Sequence, residues 1–588
     1  MARGLLSLGS SQEREGNPMV TNRKYQKRRK IKKAVAVSTL LLISLLLISC
    51  GSSSGGTSEA VAPLAGLPSQ ETKDSTGDSS GTTITATSAT PKELNAGDLM
   101  YLDLNSQQGS IDFSGVGSGA EFLLSIANTS ATQQSFNVQM SSDLSAPELD
   151  VSKEVSRSAE SFEEGNDVTE IFHEVLRLRE REQDGLEMPK EVSFSAAKSV
   201  GSPNFSISEG STQSFKVLAS LSSATSYVSV NAIAECVASN VVFYVDDRVT
   251  TAMLSSKEVD SLCAQFDETT TREQALFGSA SDVNGDGKVI VLMTPQVNHL
   301  GGLGGGIVTG FFNSIDLHPQ SGSNPASNGM EILYIMVPDP DGVYGVPVSK
   351  SFALSNLIPA VLPHEFQHAI SYNQHVFVNK GLAEEAWLNE GISHLAEDLM
   401  GQNQENPSRY AIFVNSPSSY SLVAGNSPGL AARGAAYLFM RYLYEQSANA
   451  GQFMKNMIQT SEVGTRNIET AFAGSASDFD QFGEFFLRWS IALGITDGGV
   501  SQDRRYTYLP RVQNSTTGNW NGVCLRCNAD DNRGTVLSGV PVTNFSGSLN
   551  ASTSPSSARF YKIAGLQNKL YFSGANGSNG YGVLIRTK

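Results

Sequence analysis

Four of the seven histidines in this 588-residue chain, His364, His368, His375 and His394, fall within 31 residues, and their setting dictates a local fold. The densest part reads Leu362-Pro363-His364-Glu365-Phe366-Gln367-His368. Histidines at i and i+4 share a face only on a helix, where they stand one turn apart. Two imidazoles so placed can meet a single Zn²⁺ at about 2.0–2.1 Å. Glu365 then lies beside the ion without binding it, where it can take a proton from water. A catalytic zinc needs a third protein ligand and one open position. Pro363 directly precedes the first histidine and Pro359 lies four residues earlier, so the helix is expected to begin or kink there.

The surrounding chain is too long for one core, and two to four domains are expected. Its formal charge of −16 hides an asymmetry. Residues 1–49 hold ten Lys/Arg against two acids, a local +8 that leaves −24 on the remainder. Such an acidic body argues against nucleic acid as a partner. The basic run Arg23 to Lys33 is followed by an apolar stretch, Ala34 to Ile48, shorter than the roughly 20 residues a bilayer span needs. It has the order of a signal peptide, with Met19 opening a leader of ordinary proportions. The ending Leu47-Ile48-Ser49-Cys50-Gly51 resembles the lipobox of bacterial lipoproteins. That resemblance implies cleavage before Cys50, lipidation of its thiol, and an exported protein anchored to the outer membrane or cell surface. Four cysteines remain, Cys236, Cys263, Cys524 and Cys527, and outside the cytoplasm they read as two disulfides, most simply 236 with 263 and 524 with 527.

Composition shifts divide the chain. Residues 50–96 are Ser, Thr, Gly and Ala with scattered charge, too little apolar surface to offset ordering entropy, and read as a tether. Residues 97–239 alternate like short strands, as in Phe122 to Asn128 and Phe136 to Met140, and are expected to form a β-rich, sandwich-like domain. One charged helical insert, Asp167 to Glu182, reads there as a solvated helix; its His173-Glu174 is followed by Arg177 where a second histidine would stand. Residues 240–504 have α/β character, with strands at 241–245, 289–293 and 332–337 and helices at 255–266 and 434–446. Residues 505–588 return to alternating strands, such as 569–572 and 582–585, and are expected to form a second β-rich domain.

Downstream of the histidine pair stands Ala386-Trp387-Leu388-Asn389-Glu390-Gly391-Ile392-Ser393-His394. Together with His364-Glu365-Phe366-Gln367-His368 it resembles the gluzincin metallopeptidases, most of all the hyicolysin-type (M30) peptidases, over about residues 240–500. The resemblance implies a zincin-like domain in a multidomain α+β protein, with His364, His368 and Glu390 as ligands of one zinc ion and Glu365 as general base. His394, one turn after Glu390, is open to three readings: an alternative ligand, a donor to the ligands or the transition state, or an interior histidine. Tyr420, Tyr437 and Arg433 are candidate donors to a developing oxyanion. Glu384, Glu385 and Glu397 lack the Asn-Glu setting and are weaker ligand candidates.

Asp282, Asn284 and Asp286 place oxygens at alternate positions of a calcium-type loop, but Met293 stands where a bidentate Glu belongs. Ca²⁺ is a possible second ion, and an Asx-rich turn is the preferred reading. The run Gly301 to Gly306 lacks a Gly-Lys-Ser/Thr ending and reads as a loop, not a phosphate cradle. The expected activity is zinc-dependent endopeptidase cleavage of extracytoplasmic polypeptides. The rivals are a non-catalytic, surface-binding lipoprotein and a zinc aminopeptidase, the latter on the partial motif Gly329-Met330-Glu331.

Overall fold

The computed structural model describes residues 89–131, 135–142, 168–181, 186–189, 207–220, 226–423, 429–473, 481–575 and 579–588. The expected leader, Cys50 and all of the tether before residue 89 lie outside the described residues. Among the described residues no helix is long and apolar enough to cross a membrane.

Strands from both ends of the described chain build one sandwich. The early ones are β1 (Leu99–Asp103), β2 (Gly109–Asp112), β3 (Glu121–Asn128) and β4 (Phe136–Ser141). The five-stranded sheet runs β1, Gly580–Arg586, β3, Ser557–Ala564, Val542–Asn544; the four-stranded sheet runs Ser548–Thr553, β4, Lys569–Gly574, β2. Phe122, Leu124 and Ile126 of β3 fill the interior with Phe136, Met140, Ile563 and Leu584. Leu123 and Ala127, on the opposite face of the same strand, join Phe560, Val583 and Ile585 in the larger core of the protein. On that face Ser125 Oγ meets Ser490 Oγ of the helix Phe482–Ile495 at 3.2 Å. β3 is therefore covered on both sides, which is why Phe122 to Ala127 is buried throughout and apolar on both faces apart from Ser125. The expectation of two β-rich domains, at 97–239 and 505–588, is corrected by these pairings. Alternating segments announce strands but not partners, and register here is fixed by pairing across more than 400 residues.

The boundary expected at 240 also moves. A six-stranded sheet contains β5 (Thr212–Leu218), β6 (Tyr227–Val237), β7 (Val241–Asp246), β8 (Val289–Met293), β9 (Gly310–Phe312) and β10 (Ile332–Ile335), in the order β5-β6-β7-β8-β10-β9. β7, β8 and β10 are parallel neighbours and buried along their whole length; β9 closes the sheet as an antiparallel edge. The helix Ser256–Phe277 crosses over between β7 and β8, opened by a capping box in which Glu258 accepts from the Ser255 N–H at 2.8 Å. A disulfide joins Cys236 of β6 to Cys263 of this helix, and a second joins Cys524 to Cys527. The glycine run falls mostly in the helix Pro295–Gly304, capped by Gly305 in the left-handed region.

The same crossover helix carries an unusual burden. Glu273 is 0% exposed, and neither carboxyl oxygen finds a hydrogen-bond partner among the described residues. Burial pushes its carboxyl well above 4.5, only partly opposed by Arg272. The folded chain thus binds a proton that the unfolded chain releases above about pH 4.5, so this group costs stability as pH rises from there through the folded value. Glu273→Gln keeps the shape and removes the titration. Its melting temperature should exceed that of the parent increasingly from pH 5 to pH 8, with the difference small at pH 4; thermal melts across that range check it.

Four helices pack around the histidines. Ile358–Tyr372 and Ala386–Leu399 face each other, and Leu430–Gln446 packs across the latter and across Asn406–Asn415. Glycines permit these approaches. A Cβ on Gly434 would lie 2.5 Å from Tyr410 Cα, and one on Gly391 3.0 Å from the Ala436 carbonyl oxygen. Backbone atoms cannot give way as a side-chain tip can, so Gly434→Ala must spread two helices. It is expected to cost about 3 kcal/mol, read as a shift in the denaturation midpoint at unchanged slope.

Candidate metal centre

Helix Ile358–Tyr372 is buried at every residue and holds Pro359 in its first turn and Pro363 inside. A proline at 359 offers no N–H to the carbonyl four residues back, and the chain answers in two ways. The preceding segment Ala353–Leu357 widens into a π turn, and the Gln404 amide donates to the orphaned Ser355 carbonyl at 3.3 Å and to Asn356 O at 3.2 Å. The helix thereby continues through both prolines and presents His364 and His368 on one face.

Their Nε2 atoms lie 3.2 Å apart. Glu390, on helix Ala386–Leu399, brings Oε2 to 3.4 Å from His364 Nε2 and Oε1 to 3.5 Å from His368 Nε2. Two atoms each bound to a tetrahedral zinc at the usual lengths stand roughly 3.4 Å from one another. The three spacings match that separation. Glu390 is 0% exposed and both its oxygens lack a hydrogen-bond partner among the described residues, a state that a bound cation would relieve.

The far side of each imidazole is held. His364 Nδ1 donates to Glu397 Oε1 at 2.8 Å, and His394 Nδ1 donates to the same oxygen at 2.7 Å, while Arg409 binds Glu397 Oε2 at 3.0 Å. His368 Nδ1 faces Ser393 Oγ at 3.1 Å, and that hydroxyl is directed at Gln367 Oε1. Protons placed on Nδ1 leave the Nε2 lone pairs of His364 and His368 turned toward Glu390. Burial holds His368 and His394 neutral, pushed down to about 3. His364 is buried too, but Glu390 and Glu397 overrule that and push it up to about 9. Burial opposes charge on Glu390, yet Arg433 and the imidazoles of His364 and His368 hold its carboxyl well below the usual range. The centre therefore calls for positive charge between His364 and Glu390. Glu365, 1% exposed, accepts from the Phe312 N–H of edge strand β9 at 2.8 Å; burial raises its carboxyl, with His364 and Arg177 opposing. A carboxylate poised upward in this way suits a base.

No family model matches the chain. Over 249 residues it is 26% identical to the neutral metalloprotease ShpI of Staphylococcus hyicus, a match covering 41% of this chain and 54% of that protein. That relative is a metalloprotease. The chain spans about half the length of the curated relative it matches.

The remaining candidates sort by position. His394 joins His364 and Glu390 in a buried group whose ligand atoms all lie within 4.8 Å of one another; its Nε2 is 4.0 Å from Glu390 Oε2 and without a hydrogen-bond partner among the described residues. Arg433 lines the cavity beside His364 and Glu365, with Nε 3.7 Å from Glu390 Oε2. Tyr437 and Tyr420 stand outside the lining of that cavity. Tyr437 is fully buried and donates to Asp398 at 2.9 Å, and the Tyr420 ring packs 6.5 Å from Phe413. In the calcium-type loop, Asn284 and Asp286 each accept the backbone N–H two residues on, from Asp286 and Lys288, as an Asx turn requires, while Asp282 accepts the Gly287 N–H five residues on. Glu331 is tied to that loop through the Val283 N–H, which takes the partial aminopeptidase motif away from the histidines.

Two features escaped the sequence reading. Glu397, by sequence only a weaker ligand candidate, stands three residues after His394 and seven after Glu390, a spacing that puts it on the same helix face. The insert Asp167 to Glu182, read as solvated, is corrected. Its helix Val168–Arg181 buries Phe172, His173, Leu176, Arg177 and Glu180 against the metal centre. Nothing local in a charged segment some 190 residues before the histidines announces this.

Proposed function

We propose that the chain is a zinc-dependent endopeptidase, exported and held at a membrane through a lipid on Cys50. The observation that carries the reading is the spacing of His364 Nε2, His368 Nε2 and the Glu390 oxygens, 3.2 to 3.5 Å, around a carboxylate with no hydrogen-bond partner among the described residues. The similarity to a metalloprotease supports it. His364, His368 and Glu390 would hold the ion, and when bound it supplies Lewis acidity to the scissile carbonyl and to the attacking water. Glu365 takes the proton of that water and passes it to the leaving amine; its hydrogen bond from Phe312 fixes the carboxyl against β9. Glu397 and Ser393 orient the imidazoles. Arg433, which lines the cavity, is the candidate cationic donor to a developing oxyanion.

Zinc content of the purified chain, with cleavage of an unfolded protein lost to a chelator and regained on adding zinc, tests the reaction. A chain that binds no zinc, or cleaves equally without it, removes the reading. Peptides blocked at the amino terminus separate endopeptidase from aminopeptidase, because the latter needs a free terminus. Export and anchoring rest on the basic run, the apolar stretch and Cys50, and two disulfides in the described body accord with an oxidising compartment. Fatty-acid labelling that persists in Cys50→Ser would sink the anchor.

A further inference from the structure

The residues of the metal centre are almost sealed. His364 is 5% exposed, Glu365, His368 and His394 are 1%, and Glu390 is 0%. The cavity beside them measures about 30 Å³, room for a water molecule or two but not for a peptide. A peptidase must admit an extended chain here, so whatever closes the cavity decides whether it can work.

The helix Val168–Arg181 reaches this cavity through His173. Arg177 is 0% exposed and reaches the centre itself, with Nε 3.8 Å from Glu390 Oε1. It also binds Glu180 at 2.6 Å and donates to the Phe312 carbonyl of β9 at 3.2 Å. Phe172 wedges edge-on against Phe311 of the same strand, centroids 5.3 Å apart, and His173 lines the cavity. β9 is the open edge of the six-stranded sheet, the place where a peptide could add as a further strand. Arg177 takes a carbonyl such a strand would use.

The helix covers the centre without belonging to either sheet. It enters between β4 of the sandwich and β5 of the six-stranded sheet. Beyond the helix core, Arg181 donates to Ala383 O at 3.0 Å, and the Glu187 carbonyl meets His318 Nδ1 at 3.2 Å. The seat is also imperfect. Arg177 is wholly desolvated, yet its Nε finds no hydrogen-bond partner among the described residues. A buried guanidinium with an unmet donor is a contact that water would improve, which favours release over permanent packing.

We propose that the helix Val168–Arg181 is an autoinhibitory plug, seated on the metal centre and on β9, whose displacement opens the enzyme to polypeptide. The activity it withholds rests on the peptidase reading; the closure itself does not. The test uses the full chain carrying Phe172→Asp and Arg177→Glu, the second placing like charge against Glu390. Two quantities are read: the rate at which bound zinc passes to a chromogenic chelator, and cleavage of an unfolded protein. Both should rise about tenfold or more over the parent, and a synthetic peptide of residues 168–181 added in trans should slow both again. Phe172→Ala should move both the same way by less, which separates opening from a folding defect in the double variant. Zinc transfer unchanged in the folded, zinc-loaded variants overturns the plug. So does faster transfer with loss of a cleavage the parent possessed, since the helix would then supply a working residue such as His173. Faster transfer, reversed by the peptide, with no cleavage by any form keeps the plug and removes the peptidase.

Discussion

Glu365→Gln is expected to keep one zinc ion per chain and to lose roughly 100- to 10,000-fold in kcat. The side chain neighbours the ligands without being one of them, and its oxygen accepts the Phe312 N–H at 2.8 Å. An amide oxygen can accept that same bond, so the fold and the ligand spacing should survive. What the amide cannot do is take a proton. The loss should therefore fall on kcat with KM little changed, since the carboxyl is asked to act in the transition state and not in binding. Zinc analysis beside steady-state kinetics checks both halves, and a variant that turns over at the parent rate ends the assignment of Glu365.

Glu397→Gln should act differently, on the ion instead of the proton. One oxygen of Glu397 accepts from both His364 and His394, and the other from Arg409. An amide retains one acceptor oxygen and must present its NH₂ group either to the guanidinium or to both imidazole N–H groups, which share one oxygen and are then abandoned together. The Nδ1 proton of His364 then loses its anchor and its Nε2 lone pair loses direction. Zinc affinity is expected to fall about 10- to 100-fold, the usual size of such outer partners. Saturating zinc should restore most of kcat, a rescue that Glu365→Gln would not show. Competition with a chelator of known affinity measures the first effect and titrated activity the second.

How legible was this protein before its structure? The histidine pair was fully legible, because i and i+4 on a helix is a statement about geometry that sequence carries directly. Strands with strong local signatures also stood out, β8 at 289–293 being the segment expected. The prolines foretold a disturbance before His364 but not its form, since the carbonyl of Ser355 is rescued by Gln404, nearly fifty residues away. Long-range partnership was not legible at all. β3 reads as an ordinary strand whether its neighbour is the next hairpin or a segment near residue 580. The charged insert at 167–182 misled for a related reason: Arg177 and Glu180 neutralise each other inside the protein, and composition alone cannot tell a solvated ion pair from a buried one.

The sandwich has a consequence for the order of events during synthesis. Its central strand β3 emerges from the ribosome early, yet both of its neighbours lie beyond residue 556. Until those arrive, Phe122, Leu124 and Ile126 have no opposing sheet and present bare strand edges, the kind of surface that invites wrong pairing. The six-stranded sheet and the helices bearing the histidines, from residue 212 to residue 446, can assemble in the meantime from local pairings. Completion of the sandwich is then a clasp fastened last, joining strands from the two ends of the described residues onto a body already formed.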